Sequence, residues 1–194
     1  IADKILEAIK IKGLNAGHEK EYSSWQNSMQ FMRNIVDDAE IDDEVRICIE
    51  YNIPLTSKRV DFIIAGADES GNENIVIVEL KQWQKAEVVA DDMHYCVRTF
   101  VANSDRIVCH PSYQAYSYSC FLQNYSQSLT DEKISLIPCA YLHNYQPEYR
   151  YTLSNPIYKE WTDLAPFFIK NEVRNFSEFV KKYIIKKSSK GDLL

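Results

Sequence analysis

The sequence predicts an α/β fold in which a central mixed β-sheet is flanked by helices, and three observations carry that expectation. First, the apolar, β-branched runs Arg59-Val60-Asp61-Phe62-Ile63-Ile64 and Ile75-Val76-Ile77-Val78-Glu79-Leu80-Lys81 flank the turn formers Asp68-Glu69-Ser70-Gly71-Asn72, which is the pattern of an antiparallel hairpin. Second, the run Ile134-Ser135-Leu136-Ile137-Pro138-Cys139-Ala140-Tyr141-Leu142 reads as a further buried strand, its Pro suggesting a bulge or an edge. Third, apolar residues recur at helical spacing before, between and after these runs.

Taken in chain order, residues 19–37 form an N-terminal helix whose apolar face is Trp25, Met29, Met32 and Val36, with Glu21 one turn before Trp25. Val45-Arg46-Ile47-Cys48-Ile49-Glu50 is the first strand, and the hairpin follows it. Residues 93–101 and 106–109 make a second hairpin around Asn103-Ser104-Asp105. His110-Pro111 opens a helix, since Pro suits a first helical position, and Ala115, Tyr118, Phe121, Leu122 and Tyr125 continue its stripe. Residues 144–161, rich in Tyr, Pro and Asn, read as a loop able to cover one side of a cleft. Phe176, Phe179, Val180 and Tyr183 mark a closing amphipathic helix.

Three charges do not belong in dry strands. A buried carboxylate or ammonium is too costly to keep unless it is paired or ligates a metal. Strand residues two apart share a face, so Glu79 and Lys81 project together while Val76, Val78 and Leu80 bury on the other side. Folding the hairpin at Gly71-Asn72 brings Asp61 beside the end of the second strand, with the carboxylates at one sheet edge. Two such carboxylates suit Mg²⁺ or Mn²⁺, and the Leu80 carbonyl, phosphate oxygens and waters can complete the shell. Lys81 beside them can position or deprotonate an attacking water and offset phosphate charge; the plainer reading of all three is a structural ion pair. Glu50 can reach the same place or pair with Arg59.

An Asp followed by Glu-x-Lys on consecutive core strands resembles the PD-(D/E)xK nuclease superfamily, with Val60-Asp61 standing where the name has Pro-Asp. The spacing Gln114-x-x-x-Tyr118 resembles the accessory motif of RecB-type exonuclease domains, in which a helix beside the metal supplies a Gln and a Tyr; a buried Tyr with a satisfied Gln is the alternative. RecB-like nucleases also place an acidic residue of their first helix near the metal, which makes Glu21 the candidate and Glu19 its rival, against a helix-end carboxylate favoured by the macrodipole. Together, Glu21-x-x-x-Trp25, the stretch from Ile53 to Asp61, Glu79-Leu80-Lys81-Gln82-Trp83 and His110-Pro111-x-x-Gln114 resemble the N-terminal nuclease domain fused to Schlafen-like superfamily helicases in bacteria. The resemblance runs from about residue 20 to the end of the chain and is strongest over residues 45–120. It implies a restriction-endonuclease-like core and a Mg²⁺- or Mn²⁺-dependent nuclease, with Asp61, Glu79, Lys81, Gln114, Tyr118 and Glu21 catalytic and Asp61, Glu79 and Leu80 on the metal. The implied partners are nucleic acid, DNA ahead of RNA, and a helicase domain in the same chain; these residues contain no Gly-x-x-x-x-Gly-Lys-Ser/Thr loop of their own.

Length and composition fit that expectation. A chain of 194 residues with 45% hydrophobic content is one ordinary domain, read as residues 1–187, and the polar residues 188–194 read as the start of a linker to a further domain. No signal peptide and no apolar run of membrane-spanning length is present, and five cysteines without Cys-x-x-Cys point to reduced thiols in the cytoplasm. His18, His94, His110 and His143 lack zinc spacing. A net charge of −6 argues against strong nucleic-acid binding by these residues alone, although Lys81, Lys85, Arg98, Arg106 and the pairs Lys181-Lys182 and Lys186-Lys187 can make local phosphate contacts. Two other classes stay open: an inactive nuclease-fold module that binds nucleic acid or a partner in a defence system, and a protein-interaction module marked by a large exposed aromatic patch.

Overall fold

The computed structural model describes residues 19–89, 93–125 and 133–190, together with residues 5, 7, 8 and 11. Helix α1 (Glu19–Asp38) precedes three antiparallel strands, β1 (Arg46–Asn52), β2 (Arg59–Ala67) and β3 (Glu73–Lys81). A small sheet follows, made of β4 (Glu87–Val88), β5 (Cys96–Val101) and β6 (Ser104–Cys109), and then helix α2 (Pro111–Tyr125). The chain returns to the main sheet as β7 (Ser135–Leu142), makes the short helices α3 (Arg150–Leu153) and α4 (Lys159–Leu164), and ends with β8 (Phe167–Ile169) and α5 (Val173–Tyr183). The main sheet has the order β1-β2-β3-β7-β8, with β7 parallel to both β3 and β8, so it is mixed as expected.

Period-two alternation puts a different helix layer on each face of that sheet. Phe62, Ile64, Val76, Val78, Leu80 and Tyr141 pack with Met29, Met32 and Ile35 of α1 and with Phe176 and Val180 of α5. Ile63, Ala65, Ile75 and Ile77 pack on the other face with Tyr118 and Leu122 of α2. The hairpin between them closes as its turn residues dictate: Gly71 has φ 87, and the Asn72 backbone N–H donates to Asp68 Oδ1 at 2.8 Å.

Two details differ from the sequence reading, and two more bear on it. The second hairpin turns at Ala102 and Asn103, both in the left-handed region with φ 50 and 63, and Ser104 already belongs to a strand. A two-residue loop with both φ positive matches the strand twist, which places the turn one step earlier than the Asn103-Ser104-Asp105 cluster suggested. Residues 144–161 are not a loop: two 3₁₀ turns start at Pro147 and Pro156, each runs into a short helix, and Tyr145, Leu153 and Tyr158 are fully buried. Pro138 sits in a strand flanked on both sides, yet β8 pairs with β7 only from Ala140 to Leu142, so at Pro138 that flank is locally an edge. Of the polar residues after Lys187, Ser189 donates both its backbone N–H (2.9 Å) and its hydroxyl (2.7 Å) to Glu73 Oε1.

The last strand contact of the tail is an isolated bridge between Ala67 and Lys186, and it requires Gly66. A Cβ added at Gly66 would stand 2.6 Å from the Lys186 backbone oxygen, which cannot swing away as a side-chain end would. Gly66→Ala should therefore lower the urea midpoint by about 1–3 kcal/mol of stability. An unchanged midpoint would show that the tail contributes nothing to the fold.

Candidate functional site

The site begins where a ladder ends. Strands β2 and β3 pair from Ala67 opposite Glu73 to Phe62 opposite Val78, and one residue further on the Leu80 N–H donates to the Asp61 side chain, Oδ2, at 2.9 Å. Asp61 thus supplies the acceptor that a strand carbonyl would have provided, and its carboxylate lies against β3. Glu79 continues the face of Ile75 and Ile77, toward α2, and is 2% exposed. Its Oε1 accepts from Lys81 Nζ at 2.6 Å, while Oε2 is buried with no hydrogen-bond partner among the described residues. Lys81 is further fixed by Trp83, whose ring centroid is 5.4 Å from Nζ. The carboxylates stand on the second and third of five strands, at their ends, and not at a sheet edge as the sequence suggested.

Burial raises the pKa of all three acids in this cluster. For Asp61 it outweighs the Leu80 N–H and the charges of Lys81 and Arg59, and the Glu50 charge adds to it. Glu79 is pushed up to about 7 by burial, against the attraction of Lys81 and with a further push from Asp61. Tyr118, on α2, is raised by burial and then by the Glu79 charge, and it feels Asp61 and Lys81 as well. Burial opposes the Lys81 ammonium, but the Glu79 charge and hydrogen bond, with Asp61 behind them, outweigh it and raise its pKa. Two carboxylates facing one ammonium leave the cluster short of positive charge.

That shortage, and the partnerless Oε2, are what a divalent cation would relieve. The donors are hard oxygens: Asp61, Glu79 and the Leu80 carbonyl, with water or substrate oxygens needed for the rest, as is usual for Mg²⁺. Among the described residues no group of three or more His, Cys, Asp or Glu side chains could hold a metal ion, so a cation here would have at most this pair as side-chain ligands.

Helix α2 brings the other two candidates in unequally. Tyr118 is buried and coupled to the carboxylates, whereas Gln114 is half-buried and donates from Nε2 to the Tyr118 hydroxyl at 2.8 Å. Their four-residue spacing stacks them on one face, so Gln114 acts on the cluster through Tyr118. Because that hydroxyl accepts from Gln114, its own proton is directed to another acceptor. The helix start is set by His110: Nδ1 accepts the Ser112 N–H (3.2 Å), so the ring proton sits on Nε2 and is donated to the Leu153 carbonyl at 3.1 Å. Burial, opposed by that carbonyl, pulls His110 down to about 4, which makes it a neutral structural residue at neutral pH.

Glu50 lies at the rim. Its φ is 55, unusual without glycine, and the pairs on either side of it, Ile49 opposite Phe62 and Tyr51 opposite Val60, skip the position facing Asp61. Its Oε1 is 2.8 Å from Arg59, so it forms the pair with Arg59 that was one of the two sequence alternatives, and its charge also acts on Asp61. Glu21 and Glu19 fall in the first turn of α1, but their side chains lie outside the described residues. One contact had no signal in the sequence. Directly after Lys81, Gln82 Nε2 donates to Ser28 Oγ (3.0 Å), which is 3.0 Å from Nε2 of the buried His143, and this ties α1 to the ends of β3 and β7.

The Glu79 shift sets a pH dependence. Its folded-state pKa of about 7 exceeds the ordinary 4.5, so the fold holds the proton more tightly than the unfolded chain and stability falls as pH rises through that window. Asp61 acts in the same direction. The metal-free protein should lose on the order of 1–3 kcal/mol between those limits, and added Mn²⁺ should restore more of it above the window than below. Urea midpoints across pH, with and without Mn²⁺, measure this; a flat profile would mean that Glu79 is not held in a raised state.

No family model, no curated protein and no solved structure matches this chain, so the function has to be argued from these residues and their geometry.

Proposed function

We propose that the chain is a Mg²⁺- or Mn²⁺-dependent nuclease that hydrolyses phosphodiester bonds of nucleic acid. The observation that carries the reading is Glu79 Oε2, an oxygen without a partner on a residue 2% exposed, beside Asp61 and Lys81. A purely structural ion pair accounts for Oε1 alone and leaves Oε2 as a desolvated acceptor at a cost of about 1–3 kcal/mol. Asp61 and Glu79 would hold a divalent cation, which would satisfy Oε2 as well and would supply Lewis acidity toward a phosphate oxygen and a water. Lys81, whose raised pKa keeps it protonated, holds a hydrogen bond and a positive charge where negative charge builds on the phosphoryl oxygens. That favours the electrostatic role over the role of base. Tyr118 keeps its proton and, oriented by Gln114, offers a hydrogen bond to the same face.

The choice of DNA over RNA and a helicase domain as partner in the same chain rest on the resemblance, and a cytoplasmic setting on the reduced cysteines; all belong to the proposal. No helix among the described residues is long and apolar enough to cross a membrane. One observation favours a second reading, a module that binds without cutting: Lys81 already occupies one Glu79 oxygen, and among the described residues no third His, Cys, Asp or Glu side chain joins Asp61 and Glu79 in a metal-holding group. Binding of nucleic acid without cleavage in Mn²⁺ would select that reading.

Asp61→Ala, Glu79→Ala and Lys81→Ala should each reduce cleavage on the order of 10³-fold or more, the usual loss for a metal ligand or charge stabiliser. Activity surviving in all three would remove the assignment. Gln114→Ala should act through Tyr118, so the double variant with Tyr118→Phe should be little worse than Tyr118→Phe alone, as measured in a double-mutant cycle.

The net charge of −6 bears on affinity, because polyanion binding draws on basic contacts. These residues alone should bind nucleic acid weakly, with a shallow salt slope, and binding should steepen when a helicase domain is supplied. Titrations of single- and double-stranded DNA and RNA across a salt series measure it; equal affinity and slope would make the nuclease self-sufficient and leave its site residues untouched.

A further inference from the structure

Cys96 and Cys109 stand directly opposite each other in the small sheet. One position further out, the His110 N–H donates to the Tyr95 carbonyl at 2.7 Å, which makes 95 and 110 a hydrogen-bonded pair. Bonded and non-bonded pairs alternate in an antiparallel ladder, so Cys96 and Cys109 are a non-bonded pair, the kind whose Cα atoms approach to about 4.5 Å. That lies within the roughly 4.4–6.8 Å that a disulfide spans. Directly opposite residues also send their side chains to one face. Of the other cysteines, Cys48 faces Ile63, Cys139 faces Val78 and Cys120 is on α2, so no other pair meets across a ladder.

We propose that Cys96 and Cys109 are an oxidation site: they close a reversible cross-strand disulfide when the protein meets a low-molecular-weight disulfide such as glutathione disulfide. Cys109 is half-buried and Cys96 buried, which fixes the order of events. The Cys109 thiolate attacks the small disulfide, forms a mixed disulfide and expels one small thiolate. Cys96 then loses its proton and attacks the Cys109 sulfur, expelling the second. Two protein thiols are oxidised, one small disulfide is reduced to two thiols, and the two protons released by the cysteines end on those thiols. The side chains must draw slightly closer than the ladder holds them, and strained bonds of this kind are readily reduced again.

The position gives the bond a reach beyond the sheet. Cys109 is followed by His110, whose ring bonds Leu153 and Ser112, and then by Pro111, the first residue of α2. A covalent link at Cys109 therefore bears on the root of the helix that carries Gln114 and Tyr118. This inference does not depend on the proposed chemistry of the carboxylates.

Incubating the native protein with glutathione disulfide, followed by intact-mass measurement, thiol titration and tryptic mapping, tests it. Arg98 and Arg106 lie between the two cysteines, so trypsin separates them and a disulfide appears as a linked peptide pair. The expected result is the loss of two hydrogens, a fall from five titratable thiols to three, a Cys96–Cys109 linked pair, and reversal by dithiothreitol. Cys96→Ser should stop at a glutathione adduct on Cys109, and Cys109→Ser should give no adduct on Cys96. A persistent adduct in the unaltered protein, a link through Cys48, Cys120 or Cys139, or no reaction at all would each overturn the proposal. The mapping of the unaltered protein decides even where a serine variant folds poorly.

Discussion

The Glu79 carboxylate sits in apolar surroundings with Lys81 on one oxygen and, among the described residues, no partner on the other, and the architecture around it follows from how that charge is tolerated. Burying an ion costs several kcal/mol even after relaxation, and one ammonium cannot offset two carboxylates. The fold lessens the penalty in small ways. Asp61 takes the Leu80 N–H, and the Trp83 ring lies beside Lys81. It does not remove it, and so burial keeps the pKa values of both carboxylates raised. On the reading proposed above, a cation would relieve that shortage, and without one the buried charges cost stability, which is the trade expected of a functional site.

One continuous stretch builds most of this site. The chain leaves β3 at Lys81, forms the small sheet, and returns as α2 across the same face, so residues 59–118 contain both carboxylates, the ammonium and Tyr118. The parallel strand β7 then closes the crossover and buries what β3 leaves open. On the opposite face, the Gln82 to Ser28 to His143 contacts hold α1 to the strand ends one residue past Lys81. The strand end is thereby gripped from both sides, which holds the Glu79–Lys81 pair in one geometry.

The sheet and the carboxylates were legible in the sequence because a strand's period of two is strict: once Ile75, Ile77 and Val78 are buried, the placement of Glu79 follows. The helices at 19–37 and 111–125 were legible for the same reason at period 3.6. Residues 144–161 were misread because Pro there starts helical turns and does not break them, and composition does not separate the two uses. Neither the left-handed Glu50 nor the left-handed Ala102 could be foreseen, since neither residue favours that region and tertiary context imposes it. The Ser28 and His143 contact joins residues 115 apart and has no local signature.

The acidic balance constrains the proposed chemistry more than the site itself does. Basic residues near the C-terminus, which could have contacted phosphates, are engaged within the domain: Lys181 bonds Glu40 at 2.9 Å, Lys187 pairs with Glu44, and Lys186 donates to the Glu69 carbonyl. Exposed Lys85, Arg98 and Arg106 lie elsewhere, on the small sheet and on the segment that joins it to Lys81. The small sheet leads the chain from Lys81 to α2 and carries exposed Arg98 and Arg106, while exposed Lys58 and Arg59 stand next to Asp61 in sequence. Arg98 is in turn opposite Glu87 across the ladder, so even this surface sets an acid against its base, and little unopposed positive charge is left for polyanion contacts.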